Sequence, residues 1–184
     1  KTFTVTQEGG KKTSGYKVVG AVLPEDLQTG KYYVIANYGD PTRYWTVGDA
    51  SNYDLTLTSG FDTNAYNNEF SIDHVFYVTE IYKNQGMTDT GYSQRVQIAL
   101  FSLKSENGMQ YITSTQSYRF NNKYSIYLNL GARYTGEYGN DVDMRDNSRT
   151  SYISTPTSDA SKITCSDSGF NGTGPRKWLI YEVQ

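Results

Sequence analysis

The segment Val75-Phe-Tyr-Val-Thr-Glu-Ile81 aligns without gaps with Lys177-Trp-Leu-Ile-Tyr-Glu-Val183, close to the other end of the sequence. A weaker copy, Tyr124-Ser-Ile-Tyr-Leu-Asn129, lies between them, so an aromatic residue recurs at positions 76, 124 and 178. Internal repeats with a period of about 20 to 50 residues indicate a fold built from similar structural units. We therefore predict a single domain, 1–184, with three units, 30–82, 83–130 and 131–184, after an N-terminal extension or extra strands at 1–29.

The repeat also predicts how its side chains pack. Phe76, Tyr124 and Trp178 should occupy equivalent positions about a pseudo-threefold axis, because they are the best-aligned points of the repeat. The aliphatic residues two positions further on should be buried, since alternate residues of a strand share a face. These residues are Val78, Ile126 and Ile180.

The remaining pattern indicates strands separated by turns. Val96–Leu103 alternates apolar and polar residues, and Asn107-Gly108 before the next strand-like run is a strong hairpin signal. Pro24–Gln28 is predicted to form one short helical turn, and no long amphipathic helix is evident. The sequence therefore predicts an all-β chain, most economically a closed threefold structure. A β-sandwich or jelly roll is the alternative.

Composition excludes several classes of protein. Among 184 residues the net charge is −2, so the chain lacks the basic field of a nucleic-acid-binding protein. No apolar run approaches the roughly 20 residues of a membrane-spanning helix. The single cysteine, Cys165, excludes an intramolecular disulfide and is predicted to be a small strand residue. Because the chain starts at Lys1 with no signal segment, we interpret it as a mature or trimmed chain whose targeting peptide, if any, is gone. We expect a secreted or extracellular location.

Three segments resemble a known family. Gly30-Lys-Tyr-Tyr-Val-Ile-Ala-Asn37, followed by Arg43-Tyr-Trp-Thr-Val-Gly48, resembles the opening of a ricin-type β-trefoil unit. Val96–Ile112 is similar to the fascin-like version of that unit, and Lys177–Val183 resembles its last strand. The resemblance covers about 30–184, without the Gln-x-Trp signature of the ricin type. It implies a β-trefoil of three units and a secreted, non-catalytic, lectin-like function with a glycan or glycoprotein as ligand.

The first unit holds the predicted ligand site. In the ricin-type pattern the residues after the second strand frame the pocket, which corresponds here to Trp45, Asp49 and Asn52, with Tyr53 beside them. A flat aromatic ring offers an apolar platform to a sugar, and carboxylate or amide groups bind its hydroxyls. We expect Trp45 to be partly exposed if this site exists. The alternative is that Trp45 belongs to the core and that Asp49–Asn52 is only a turn.

Catalytic and metal chemistry have little support. His74 is the only histidine and stands far from any nucleophile motif, so we expect no catalytic residue, no cofactor and no metal. Glu80 and Glu182 occupy equivalent repeat positions and would serve a small jelly-roll glycosidase if they faced one bond. The acidic segment Glu137–Asn147 suits either a calcium site or a solvated loop.

The small glycosidase is the second alternative to a lectin, and the first is a protein-binding or protease-inhibitor trefoil domain. Such a protein presents a protruding loop to its partner and needs no sugar pocket. Segments 60–70 and 131–150 read as long polar loops, which are often functional, and are the candidate contact surfaces for a protein partner.

Overall fold

A computed structural model describes residues 11–49, 53–83, 92–111, 118–122, 127–133, 142–145, 152–156, 158–166 and 177–184. These residues confirm the prediction of an all-β chain. Their short 3-10 helices are Pro24–Asp26, Ala65–Asn67 and Ile72–His74. Within the described part of the chain, no helix has the length and apolar character to cross a membrane. The strands are β1 Tyr16–Val22, β2 Tyr32–Asn37, β3 Tyr44–Val47, β4 Leu55–Thr58, β5 Glu69–Phe70, β6 Phe76–Lys83, β7 Tyr92–Ser102, β8 Gly108–Tyr111, β9 Tyr118–Asn122, β10 Tyr127–Arg133, β11 Val142–Arg145, β12 Tyr152–Ser154, β13 Thr164–Ser166 and β14 Lys177–Val183.

Six strands close into a barrel. They follow each other in the antiparallel order β2, β6, β7, β10, β11 and β14, and β14 pairs again with β2. The last junction of the ring joins β11 to β14, with Val142 opposite Trp178 and Asp143 opposite Lys177. A closed ring leaves none of these six strands as a free sheet edge, which distinguishes it from two stacked open sheets.

Three hairpins accompany the barrel, formed by β3–β4, β8–β9 and β12–β13. Each lies in sequence between two barrel strands, so the order of barrel strand, hairpin and barrel strand occurs three times along the chain. The repeated segments Val75–Ile81 and Lys177–Val183 fall on β6 and β14, which follow the first and third hairpins. The repeat in the sequence therefore corresponds to a repeat in the topology.

The inner core fills the barrel and the hairpins. Trp45 packs edge-on against Phe76 and Trp178, with ring centroids 5.9 and 5.4 Å away, and Phe120 lies 5.3 Å from Phe76. The indole Nε1 of Trp178 donates to the carbonyl oxygen of Ile153 at 2.9 Å. All three hairpins thus contribute side chains to one core.

The packing predictions can be checked at several positions. Val78 and Ile180 are each 2% exposed, so their predicted burial is confirmed. Cys165 is buried on β13, as predicted. Phe76 and Trp178 share the inner core, whereas Tyr124 and Ile126 lie outside the described residues. The short helical turn predicted at Pro24–Gln28 is the 3-10 helix Pro24–Asp26.

A second, outer core covers part of the barrel. On β2, Tyr33 and Ile35 belong to the inner core, while Val34 and Ala36 belong to the outer one. The outer cover comes from β1, which pairs with β14 and β5, and from the segment 59–75. The extension before residue 30 therefore contributes a strand to the fold, and its Leu27 joins the inner core.

The two segments expected to be open loops differ from that prediction. Segment 60–70 contains a 3-10 helix and β5, and its Ala65 and Phe70 are buried in the outer core. Phe70 is covered because it stacks on Phe61 with centroids 5.1 Å apart. Segment 131–150 includes the end of β10 and all of β11, and its other residues lie outside the described part.

Asp143 and Lys177 form a buried ion pair at the ring closure. Their side chains are 3% and 2% exposed, and Lys177 Nζ lies 2.6 Å from Asp143 Oδ1. Two charges removed from water are tolerated only when they are closely paired, because each one alone carries a large desolvation cost. Asp143 and Lys177 are directly opposite each other in the pairing of β11 with β14. The two charges can therefore be buried together only when these strands pair in this register.

We predict that Ile180→Ala destabilises the protein by about 2–5 kcal/mol, since it leaves a cavity in the inner core. The free energy of unfolding from urea titration measures this loss. Thr79→Ala on an exposed position of β6 is the control and should change it by less than about 0.5 kcal/mol. A small effect of Ile180→Ala would contradict the inward orientation of this side chain.

We also predict that Lys177→Met destabilises the protein by about 3–5 kcal/mol, because it leaves the Asp143 carboxylate buried without its counter-charge. The double variant Asp143→Leu with Lys177→Met should recover most of that loss, as it removes both charges. Thermal and urea unfolding of the single and double variants form the test. A double variant less stable than Lys177→Met would show that the pair stabilises the ring beyond cancelling its own charges.

Candidate functional site

Trp45 is a core residue. It is 0% exposed and lies on β3 between Phe76 and Trp178. The expectation of a partly exposed ring is therefore wrong. Its position on β3 faces the barrel interior because Trp45 and Val47, two residues apart, both belong to the inner core. The ring has no face left to offer to a sugar.

Asp49 lies just after β3, where its exposed side chain pairs with a lysine. Its side chain is 94% exposed, and its carboxylate lies 2.5 Å from Lys104 Nζ. Lys104 also contacts Asp73 at 3.0 Å and donates to the carbonyl oxygen of Val47 at 3.0 Å. Burial alone would lower the pKa of Lys104, but its hydrogen bonds to Asp49 and Asp73 outweigh burial and raise the pKa above the ordinary value. The ammonium thus connects three chain segments.

The predicted site also includes Asn52 and Tyr53. Asn52 lies outside the described residues. Tyr53 has φ +48° and packs partly buried against the inner core, and its carbonyl oxygen accepts the backbone N–H of Phe120 at 3.1 Å. Tyr53 therefore connects the first and second hairpins. Whether Asp49, Asn52 and Tyr53 bind a ligand stays a prediction.

The carboxylates considered for a glycosidase are far apart. Strand β2 lies between β6 and β14, which separates their backbones by about 10 Å. Across the sheet, Glu182 lies opposite Tyr33 of β2, and Tyr33 lies opposite Phe76 of β6. Glu80 is four residues beyond Phe76, which adds a separation of about 13 Å along the strand. Glycosidase carboxyl groups lie roughly 5–9.5 Å apart. This arrangement does not present Glu80 and Glu182 to one glycosidic bond.

His74 and Asp143 of the acidic segment are both packed against neighbouring side chains. His74 lies in a 3-10 helix and contacts the stacked rings of Phe61 and Phe70 at their edges. Burial lowers its pKa, Asp73 opposes that shift and Lys104 adds to it. In the acidic segment, Asp143 is buried against Lys177 rather than solvated. Among the described residues no cluster of three or more His, Cys, Asp or Glu side chains could hold a metal ion.

A further candidate site is a groove that the sequence did not predict, beside the first residue of β2. Two adjoining cavities of about 520 Å³ each share Lys11, Gly30 and Tyr32. We call them together the tyrosine groove. The first half is further lined by Lys12, Tyr16, Lys31, Glu182, Val183 and Gln184, and the second half by Tyr77, Leu103 and Glu106. These volumes are within the range of roughly 300–1,000 Å³ typical of small-ligand sites.

Tyr32 stands at the centre of the tyrosine groove. It is 36% exposed, and its ring meets Tyr16 at 5.8 Å and Tyr77 at 6.5 Å, nearly perpendicular to both. Backbone pairing positions it, since Tyr32 lies opposite Val183 of β14 and Tyr77 of β6. Gly30, with φ +84°, turns the chain into β2, and a side chain there would project into open space.

An ion pair lies in each half of the tyrosine groove. In the first half Lys31 Nζ lies 2.8 Å from Glu182, and this hydrogen bond raises the pKa of Lys31. In the second half Lys11 Nζ lies 2.6 Å from Glu106 and lowers the pKa of that carboxyl group. Lys12 lies over the Tyr16 ring, 4.8 Å from its centroid. In each pair one partner stays open to solvent, since the side chain of Lys31 is 44% exposed and that of Glu106 is 63% exposed.

Sequence reasoning missed this groove for a physical reason. The pair Tyr32-Tyr33 on one strand does signal that one ring must face outward, because successive side chains alternate. The other walls come from Lys11–Tyr16, from Tyr77 of β6, from the turn after β7 and from the end of β14, which only the folded chain brings together.

Solved structures with a similar fold exist. Cry35Ab1 matches 86% of this chain with a TM-score of 0.58 and 14% identity. A lectin from Polyporus squamosus, solved bound to the human-type influenza-binding epitope Neu5Acα2-6Galβ1-4GlcNAc, matches 84% with a TM-score of 0.54 and 8% identity. This chain spans 37% and 50% of those two chains. No protein-family model and no curated protein matches the sequence. The similarity establishes a shared β-rich fold.

We predict that Lys104→Met lowers the free energy of unfolding by about 1–3 kcal/mol, because its hydrogen bonds to Asp49, Asp73 and Val47 are lost together. Asp49→Ala should change it by less than about 0.5 kcal/mol, since this exposed carboxylate supplies only one of them. Urea titration of both variants measures the difference. Equal losses in the two variants would contradict the central role of Lys104.

Proposed function

We propose that the protein is a secreted, non-catalytic, carbohydrate-binding domain and that its ligand binds in the tyrosine groove. The observation that carries this proposal is the exposed Tyr32 ring flanked by an ammonium–carboxylate pair on either side. An aromatic ring packs against the apolar C–H face of a sugar, and paired charged groups bind its hydroxyls. Both parts of that chemistry meet in this groove.

The rigidity of the tyrosine groove supports the proposal. Tyr32 is held by two neighbouring strands and by two flanking rings, so little conformational freedom remains to be lost when a ligand binds. The ion pairs align their own partners before binding, and several of their atoms remain open to solvent. A weakly hydrophobic, hydroxyl-rich ligand suits such a preformed polar surface better than a purely apolar one.

The fold supports the same proposal at a coarser level. We infer a β-trefoil of ricin-like type, with units 30–82, 83–130 and 131–184, from the six-stranded ring and its three hairpins. The Polyporus lectin, whose fold is similar, was solved with a glycan epitope bound. Because one fold serves many functions, the groove and not the fold determines the choice of ligand class.

We predict that the protein binds a subset of an immobilised glycan array and that Tyr32→Ala abolishes this binding, because the stacking surface is lost. Tyr32→Phe keeps the ring and should retain binding. Tyr66→Ala removes another exposed tyrosine, distant in sequence and outside the groove lining, and is the matched control that should bind normally. Melting temperatures within a few degrees of the unmodified protein confirm that each variant is folded.

Two results would contradict the proposal. The first is an absence of binding to every glycan by the unmodified, folded protein. The second is glycan binding that persists in Tyr32→Ala but disappears in Asp49→Ala, which would return the site to the turn after β3.

A further inference from the structure

The two halves of the tyrosine groove contain the same set of chemical groups. The first half has a tyrosine ring, Tyr16, and the ion pair Lys31–Glu182. The second half has a tyrosine ring, Tyr77, and the ion pair Lys11–Glu106. Tyr32 belongs to both halves and contacts both outer rings. Each half thus offers one ion pair beside the shared, exposed ring of Tyr32.

The duplication does not come from the internal repeat of the sequence. The first half takes Tyr16 from β1, Lys31 from just before β2 and Glu182 from β14. The second half takes Tyr77 from β6, Lys11 from the segment before β1 and Glu106 from the turn after β7. The same chemistry has therefore been assembled twice from unrelated segments. A ligand that fits both halves must itself repeat the same chemical features along its length.

We propose that the tyrosine groove binds two consecutive sugar residues of a linear oligosaccharide, one in each half, with Tyr32 at the junction. This inference rests on the carbohydrate-binding function proposed above. Both sugars place C–H groups against the exposed Tyr32 ring, and each turns its hydroxyls towards the carboxylate and the ammonium group of one half. Each cavity alone has the size of a small-ligand site, so a single sugar fills only half of the groove.

Binding along the length of a glycan makes a quantitative prediction. A second sugar gains its own contacts without a second loss of overall translational freedom, so the affinity rises steeply from the monosaccharide to the disaccharide. A gain of at least about ten-fold is expected, which is the effect of one well-formed charged hydrogen bond. Beyond the length that covers both halves, further sugars add little.

The experiment compares immobilised mono-, di- and trisaccharides built from the same sugar, followed by calorimetric titration with the soluble members of the series that binds. Glu182→Gln and Glu106→Gln each remove the carboxylate charge of one half and keep the side-chain shape. Each should reduce the gain from monosaccharide to disaccharide by about ten-fold. Glu69→Gln, which alters the exposed pair with Lys17 outside the groove, is the matched control and should change nothing.

The possible results separate this inference from the proposed function. Equal affinity for the mono-, di- and trisaccharide, with binding still dependent on Tyr32, overturns the two-sugar inference and leaves carbohydrate binding intact. A length-dependent gain that only one of the two glutamate variants reduces also overturns it. No binding of a glycan of any length overturns both proposals together.

Discussion

Closure of the barrel between β11 and β14 is the constraint on which the rest of the structure depends. Only four residues make the described pairing, and two of them, Asp143 and Lys177, are a buried ion pair. A one-residue slip would turn one charge away from the other and expose apolar residues, because side chains alternate along a strand. The desolvation cost of an unpaired charge therefore penalises the wrong register at the point where the ring closes.

Closure also explains the two-sided burial of β2 and β14. The inner faces of these strands fill the barrel, and their outer faces are covered by β1 and by the segment 59–75. Strands buried on both faces read as continuous apolar runs, as Tyr33–Ala36 does. The tyrosine groove lies at the margin of this cover, where the outer core ends and Tyr32 remains partly exposed.

The candidate site was predicted only in part. Sequence reasoning identified an aromatic and acidic cluster at Trp45, Asp49, Asn52 and Tyr53, but it could not distinguish an exposed tryptophan from a core one. That choice depends on which face of β3 meets Phe76 and Trp178, and these residues are distant in sequence. The partner of Asp49 was equally inaccessible, since Lys104 reaches it from the turn after β7. Long-range contacts of this kind leave no periodic signal.

By itself, the sequence determined the all-β class, the burial of Val78 and Ile180 and the repeated strand, because these follow from local alternation and from self-similarity. It also determined the short helical turn at Pro24, since proline favours the first position of a helix. Only the tertiary structure decided that Asp143 is buried, that segment 60–70 covers the barrel and that segments far apart in the sequence line a groove around Tyr32. These features depend on pairing between residues far apart in the chain, and such pairing is selected by the total burial of the folded protein rather than by any local pattern.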